Sequence, residues 1–148
     1  MASGQASKLD MMMYYDARPC TWSGMFDTTF LTPLKGYYPF KMYGEMYRMG
    51  TQIKTASDDE CVYAVGAVGD GAAAAMITYF DDNDDAEKVR TVDIEISGLC
   101  DGEKKIEYYV LDEENDMALF RTDVTSAERI KTALEIGLYS TLFIRVSR

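Results

Sequence analysis

The stretch CVYAVGAVGDGAAAAMITYF, residues 61–80, decides the fold class. Two apolar runs of similar length flank the Gly-Asp-Gly triplet at 69–71, and this spacing is typical of a β-hairpin. The four consecutive alanines of the second run could favour a helix, but its glycine border and its Ile-Thr-Tyr-Phe end favour a strand. The stretch therefore predicts two antiparallel strands joined by a tight turn.

Further short runs follow toward the C-terminus at a spacing of about ten residues. In VRTVDIEIS, Val92 and Ile94 lie on one side of an extended chain, whereas Asp93 and Glu95 lie on the other. The remaining runs are TQIKTAS, KKIEYYVLD, MALFRTDV, RIKTALEI and YSTLFIRVS. About eight short strands separated by polar turns indicate an antiparallel β-sandwich or barrel, so we predict a mainly β fold with an antiparallel β-sandwich.

The N-terminal segment, residues 1–50, has a different character. In MMMYYDARP, five large apolar or aromatic residues stand in a row, which predicts a buried strand at Met11–Tyr15. A loop over 17–32 then leads to PLKGYYPFKMYGEMYRMG, where residues 38, 42, 46 and 49 recur near helical spacing and Gly50 is a stop signal. We therefore predict a strand–loop–helix unit over 1–50, followed by a sandwich domain over 51–148.

Composition excludes several classes of function. The net charge is −10, which argues against binding to nucleic acid, and no apolar run is long enough for a membrane helix. Histidine is absent, so the commonest general base and metal ligand is missing, and we expect no cofactor and no metal site. Three scattered cysteines and the lack of a signal-peptide pattern favour a reducing compartment, so we expect a cytoplasmic protein.

Several blocks of the chain resemble the C-terminal part of clan-A glycoside hydrolases of the β-xylosidase type, family 39 and its bacterial relatives. They are DMMMYYDARPCTWSGMFD, PLKGYYPFKMYGEMYRMGTQI, IEYYVLDEENDMAL and LYSTLFIRVS. The resemblance implies that Met11–Tyr15 corresponds to the eighth strand of a (β/α)8 barrel. It also implies that residues 51–148 form the sandwich that follows the barrel in such enzymes.

The same resemblance implies that this chain has no catalytic residues of its own. The two glutamates of the family come from the fourth and seventh barrel strands, which would lie upstream of Met1, and a retaining glycosidase requires both. The chain is then a C-terminal fragment whose partner is the catalytic barrel domain, and Met11–Tyr15 is a candidate for self-association. The alternative is a freestanding carbohydrate-binding module, which requires two or three coplanar, exposed aromatic residues on the sandwich.

The loop after Met11–Tyr15 holds the candidate sugar-contacting residues, because the resemblance places it on the active-site face of a barrel. Asp16 and Arg18 could bind sugar hydroxyls and Trp22 could stack on a pyranose, or the three could simply order the loop. We expect the acidic run at 81–85 to be a solvated turn rather than a calcium site. We expect the tyrosines at 37, 38, 43 and 47 to be a packing face rather than a sugar platform.

Overall fold

Eight strands and one helix make up the part of the chain that the structure describes, residues 4, 7–8, 10–14, 18–20 and 24–148 of a computed structural model. The helix and first strands are α1 (Tyr37–Met49), β1 (Thr51–Ile53), β2 (Val62–Gly69) and β3 (Ala72–Tyr79). The remaining strands are β4 (Val89–Ser97), β5 (Lys104–Leu111), β6 (Ala118–Thr125), β7 (Arg129–Gly137) and β8 (Thr141–Ser147). The predicted mainly β fold is thereby confirmed.

The predicted hairpin at residues 61–80 forms as β2 and β3, whose residues pair antiparallel from Val62 opposite Tyr79 to Gly69 opposite Ala72. Asp70 and Gly71 occupy the turn with φ of 52° and 76°. Positive φ at both central residues is the geometry of a type I′ turn, whose twist matches that of the flanking strands.

The strands form two antiparallel sheets that face each other. The large sheet has the order β1-β2-β3-β8-β5-β6, and the small sheet pairs β4 with β7. Alternation along β3 sends Ala73, Ile77 and Tyr79 toward the small sheet. The apolar layer between the sheets, the sandwich core, comprises Val62, Ala73, Ile77, Tyr79, Ile94, Ile106, Tyr108, Ile130, Leu134, Ile136, Leu142, Ile144 and Val146.

Helix α1 covers part of the opposite face of the large sheet. Met42 and Met46 are 0% and 3% exposed, as expected for the apolar stripe of a helix that packs on a sheet. A second apolar layer, the helix core, comprises Met42, Met46, Val65, Ala67, Ala74, Met76, Leu111 and Phe143. The central strands are therefore buried on both faces.

Two glycines fix how α1 ends on the sheet. Gly50 terminates the helix with φ of 89°, the left-handed conformation that the sequence signal predicts. A β-carbon on Gly69 would lie 1.8 Å from the carbonyl oxygen of Met49, so only glycine lets the helix end approach β2 this closely. The helix and the large sheet thus share one apolar layer, and the predicted boundary near residue 50 remains a prediction.

The expectation of a buried strand at Met11–Tyr15 is wrong for Met11–Tyr14, and Tyr15 lies outside the described residues. Met11–Tyr14 have no strand pairing, and Met11, Met12 and Met13 are 72%, 61% and 82% exposed. The physical reason is that a strand requires a neighbouring edge, and no strand of the described chain pairs with this segment. Among the described residues, no helix has the length and apolar character needed to cross a membrane.

Candidate docking surface

Of the three predicted sugar-contacting residues, the structure describes only Arg18. Its side chain is exposed, beside Pro19, which forms a β-bridge with Phe26. Asp16 and Trp22 lie outside the described residues. The prediction that the three line a sugar subsite therefore remains a prediction.

The loop before α1 is ordered by short-range hydrogen bonds. The Asp27 carboxylate accepts from the backbone N–H groups of Thr29 at 2.9 Å and Phe30 at 2.6 Å, which is an Asx-type turn. This turn leaves Phe30 and Leu31 exposed, and Leu31 adopts a positive φ of 57°. A bulky apolar residue in the left-handed region is uncommon and costs conformational energy.

The N-terminal segment therefore presents two exposed apolar stretches, Met11–Tyr14 and Phe30–Leu31, which we call the apolar docking surface. Tyr14 is fixed toward α1, because its ring meets that of Phe40 edge-on with centroids 5.1 Å apart. The three methionines before Tyr14 are flexible, polarisable side chains, a type that proteins use on adaptable binding surfaces. Exposed apolar residues concentrated in one segment are typical of surfaces that bind another protein, so this segment is a candidate for such a surface.

Polar contacts attach this segment to the sandwich. The Lys35 ammonium lies 2.8 Å from the Asp116 carboxylate, in the turn between β5 and β6. Burial, followed by the nearby Asp116 charge, raises the pKa of the Tyr38 hydroxyl. The start of α1 thus lies beside the β5–β6 turn.

An ionic cluster borders α1 on the large sheet, and sequence reasoning missed it. Glu107, almost fully buried on β5, accepts from Nε and Nη2 of Arg145 at 2.9 and 2.5 Å and from Lys105 Nζ at 2.7 Å. Arg145 also lies 3.9 Å from Glu45 of α1 and over the ring of Tyr109. The signal was a charged residue inside each apolar run, in KKIEYYVLD and in TLFIRVS.

The electrostatics of this cluster decide what Glu107 can do. Hydrogen bonds from Lys105 and then Arg145 lower the pKa of the Glu107 carboxyl below its usual range. A general acid in a glycosidase needs a raised pKa, because it must hold a proton near neutral pH. Glu107 is therefore suited to fixing β5 against β8 rather than to proton transfer.

A second polar cluster closes one end of the sandwich. The buried Tyr79 hydroxyl donates to the Glu87 carbonyl at 2.8 Å, and burial raises the pKa of that hydroxyl. The Arg90 guanidinium lies 4.7 Å from the Tyr79 ring centroid and forms an ion pair with Asp59. A backbone hydrogen bond from Cys61 is the largest of the contacts that lower the pKa of Asp59.

The acidic run at 81–85 folds into short turns. The Asp81 carboxylate accepts from the N–H of Asn83, and the Asn83 side-chain oxygen accepts from the N–H of Asp85. Within the described ranges, no group of three or more acidic, cysteine or histidine residues is close enough to hold a metal ion.

The aromatic residues divide into packed and exposed groups. Tyr38 and Tyr43 pack against the helix core, and Tyr37 contacts Phe26 and Tyr38, whereas Tyr47 is exposed. On the sandwich, the exposed rings of Phe80 and Tyr139 contact each other. Their centroids are 5.8 Å apart and their planes are inclined by 55°, so the pair is not coplanar.

Comparison with known proteins gives a likeness in fold. No protein-family model and no curated protein matches the chain. A glucosidase from Croceicoccus marinus superposes with a TM-score of 0.70 at 14% identity, over 85% of this chain and 33% of that enzyme. A family 30 endoxylanase from Clostridium papyrosolvens gives 0.64 at 18% identity, over 87% and 32% of the two chains.

A family 30 subfamily 8 xylanase from Clostridium acetobutylicum gives a TM-score of 0.62 at 14% identity, over 85% of this chain and 31% of that enzyme. The chain therefore spans about a third of the length of the glycosidases that it matches. The likeness is one of fold: an antiparallel sandwich preceded by a helix, shared with about a third of each of these three enzymes.

Proposed function

We propose that the chain is a non-catalytic accessory domain of a glycoside hydrolase that acts on β-linked, plant-type oligosaccharides in a reducing, cytoplasmic compartment. The observation that carries the proposal is the fold likeness, in which most of this chain matches about one third of a glucosidase and two xylanases. The three cysteines are all free thiols, as a reducing compartment favours.

The partner in this proposal is the catalytic barrel domain, and the apolar docking surface is where it binds. The exposed methionines of Met11–Tyr14 cost free energy in water, and burial against a barrel recovers about 25 cal/mol per Å² of apolar surface. The charge distribution is also consistent with docking through this segment. The N-terminal segment has almost no net charge, whereas the sandwich carries most of the acidic residues. The finer assignment to a β-xylosidase of family 39 type belongs to the same proposal.

The chain by itself is proposed to be catalytically inactive. The buried carboxylate Glu107 is held ionised by Lys105 and Arg145, which removes it as a general acid. We expect the pure chain to hydrolyse aryl β-xylosides and β-glucosides no faster than buffer. Turnover well above buffer that Glu107→Gln or Glu45→Gln abolishes would overturn this part of the proposal.

The docking role is tested with charge introduced into the apolar docking surface. We expect the full chain to associate with itself at high concentration when no barrel is supplied, and Met12→Lys/Met13→Lys to reduce that association. Tyr47→Lys/Val89→Lys is the matched control, because it adds the same two positive charges at exposed positions outside that surface. Sedimentation velocity measures the change, and equal behaviour of the two variants would count against docking through Met11–Tyr14.

The DNA immediately upstream of the gene supplies an independent test. An adjacent coding region for a (β/α)8 barrel with two catalytic glutamates is the expected result. If that DNA encodes no barrel, this result would count against the proposal that the chain is an accessory domain of a glycoside hydrolase.

A freestanding carbohydrate-binding module is the second candidate; Phe80 and Tyr139 are exposed in its favour, but the 55° between their ring planes does not form the flat platform that such a module requires. Stacking of a sugar on this ring pair would require both side chains. Isothermal titration with xylo- and cello-oligosaccharides tests it, with Phe80→Ala/Tyr139→Ala as the knock-out and Tyr47→Ala as the control. Binding that the double variant abolishes would favour the module over the accessory domain.

A further inference from the structure

Strand β6 forms one open edge of the large sheet. It pairs with β5 on one side, and no strand of the described chain pairs with its other side. Residues 119–122 are all exposed, and Leu119 and Val124 are 50% and 63% exposed. An exposed edge strand with apolar side chains is a template for pairing with another strand.

The register between β5 and β6 gives the order of positions along this edge. Tyr108 pairs with Arg121 and Tyr109 pairs with Leu119, so Phe120 is the extra residue of a β-bulge. Leu119 consequently takes the position next to Arg121. The seven paired positions of β6 are Ala118, Leu119, Arg121, Thr122, Asp123, Val124 and Thr125.

Thr122 is the middle one of these seven positions, and positions equally far from it on either side carry complementary or similar side chains. Arg121 and Asp123 stand one position to either side, with opposite charges. Leu119 and Val124 stand two positions to either side, and both are exposed and apolar. Ala118 and Thr125, both small, stand three positions to either side. A strand with this pattern is complementary to an antiparallel copy of itself.

Charge selects this register over its neighbours. Two identical strands that pair antiparallel are related by a two-fold axis perpendicular to the sheet, and residues opposite each other must point to the same face. This condition is met only when the axis passes through a position that lies opposite its own copy. An axis at Asp123 would place two aspartates opposite each other, and an axis at Arg121 would oppose two arginines. An axis at Thr122 instead places Arg121 of each copy opposite Asp123 of the other, at cross-strand pairs that attract.

The side chains are already placed for such pairing. The Arg121 guanidinium lies 2.6 Å from the Asp123 carboxylate and donates to Thr132 Oγ1 of β7 at 3.1 Å. It also lies 4.8 Å from the Tyr108 ring centroid, which limits its rotamers. Both charged groups are partly exposed, at 41% and 32% of their side-chain surfaces. A second copy would complete a ring of four alternating charges at little further ordering cost.

We propose that β6 is a homodimer interface, in which two copies of the chain join their large sheets edge to edge, antiparallel about Thr122. The result is a continuous twelve-strand sheet, given six strands in each copy. The contact is smaller than a standard interface, so the dimer is weak and its population depends on protein concentration.

Charge exchange across the axis tests the proposal. Arg121→Asp and Asp123→Arg each convert both cross-strand attractions into repulsions, and we expect each to weaken dimerisation by about tenfold or more. Mixing the two variants in equal amounts should restore dimerisation, now as a heterodimer. One variant carries acidic residues at both 121 and 123 and the other carries basic residues at both, so each cross-strand pair is again attractive. An effect confined within one chain cannot be rescued by mixing.

All proteins in this experiment carry Met12→Lys/Met13→Lys, so that association through the apolar docking surface does not contribute. Arg129→Asp is the matched control for Arg121→Asp, since it makes the same charge change at an exposed position of β7. Sedimentation equilibrium between about 20 µM and about 1 mM covers the range of a weak complex. Thermal melts of each variant confirm that it is folded.

A further variant avoids the contacts that Arg121 makes within its own chain. Val124→Glu adds charge to an exposed edge position opposite Lys105 of β5, where a glutamate forms a favourable cross-strand pair, and it leaves Arg121, Thr132 and Tyr108 unchanged. We expect it to weaken the dimer while preserving the melting temperature. A parent protein that stays monomeric at about 1 mM, or folded variants whose mixture stays monomeric, would overturn the proposal.

Discussion

Substitution of Met42 by alanine is the sharpest test of whether α1 belongs to the core. The Met42 side chain is fully buried in the helix core, facing β2, β3 and β8. Methionine-to-alanine changes at such positions cost 2–5 kcal/mol, and we expect about 3 kcal/mol because the surrounding sheet cannot collapse into the cavity. Alanine is the best helix former, so helix propensity does not contribute to the loss.

Chemical denaturation measures the free energy of unfolding, and a thermal scan gives a second readout. For a chain of this length, about 3 kcal/mol corresponds to a fall in Tm of about 6–12 °C. Tyr47→Ala is the matched control, because Tyr47 lies on the same helix and is 78% exposed; we expect a change below about 0.5 kcal/mol. If Met42→Ala costs less than about 1 kcal/mol and behaves like Tyr47→Ala, α1 is not packed on the sheet as described.

Three further predictions concern the helix end and the ionic cluster. Gly69→Ala should destabilise the protein and alter the helical circular dichroism signal, because its β-carbon would collide with the Met49 carbonyl; a neutral result would contradict the close approach. Gly50→Ala should cost about 1 kcal/mol by equilibrium denaturation, since the site is open and only the positive φ is strained; a cost near zero would show that the helix ends differently. Glu107 has a lowered pKa in the folded state, so its stabilisation is present above the usual glutamate pKa and is lost as the pH falls through the folded value. Wild type should therefore exceed Glu107→Gln in stability at neutral pH and converge with it in acid, and a constant difference across the titration would refute this linkage.

The eight strands follow from local sequence patterns. Hydrophobic alternation and glycine turns predict them without tertiary information, because a strand with one buried face must repeat every two residues. The Asp70–Gly71 turn and the Gly50 helix end are predictable for a similar reason, since a positive φ is a local requirement that few residue types meet.

The Met11–Tyr14 segment shows the limit of local reasoning. Its composition favours a buried strand, yet whether such a run pairs depends on a neighbouring strand that its own residues do not specify. The same composition produces a buried strand beside a partner and an exposed apolar surface without one.

The sequence alone determined a mainly β chain with a helical N-terminal segment, because turns and alternation are encoded within a few residues of each other. Only the tertiary structure decided how the strands divide into sheets of six and two, and that α1 covers the second face of the large sheet. It also decided that Glu107, Arg145 and Lys105 meet, and that β6 lies at an open edge. These features depend on contacts between residues far apart in the chain, and the balance of burial, pairing and charge that selects them acts only after the chain has collapsed.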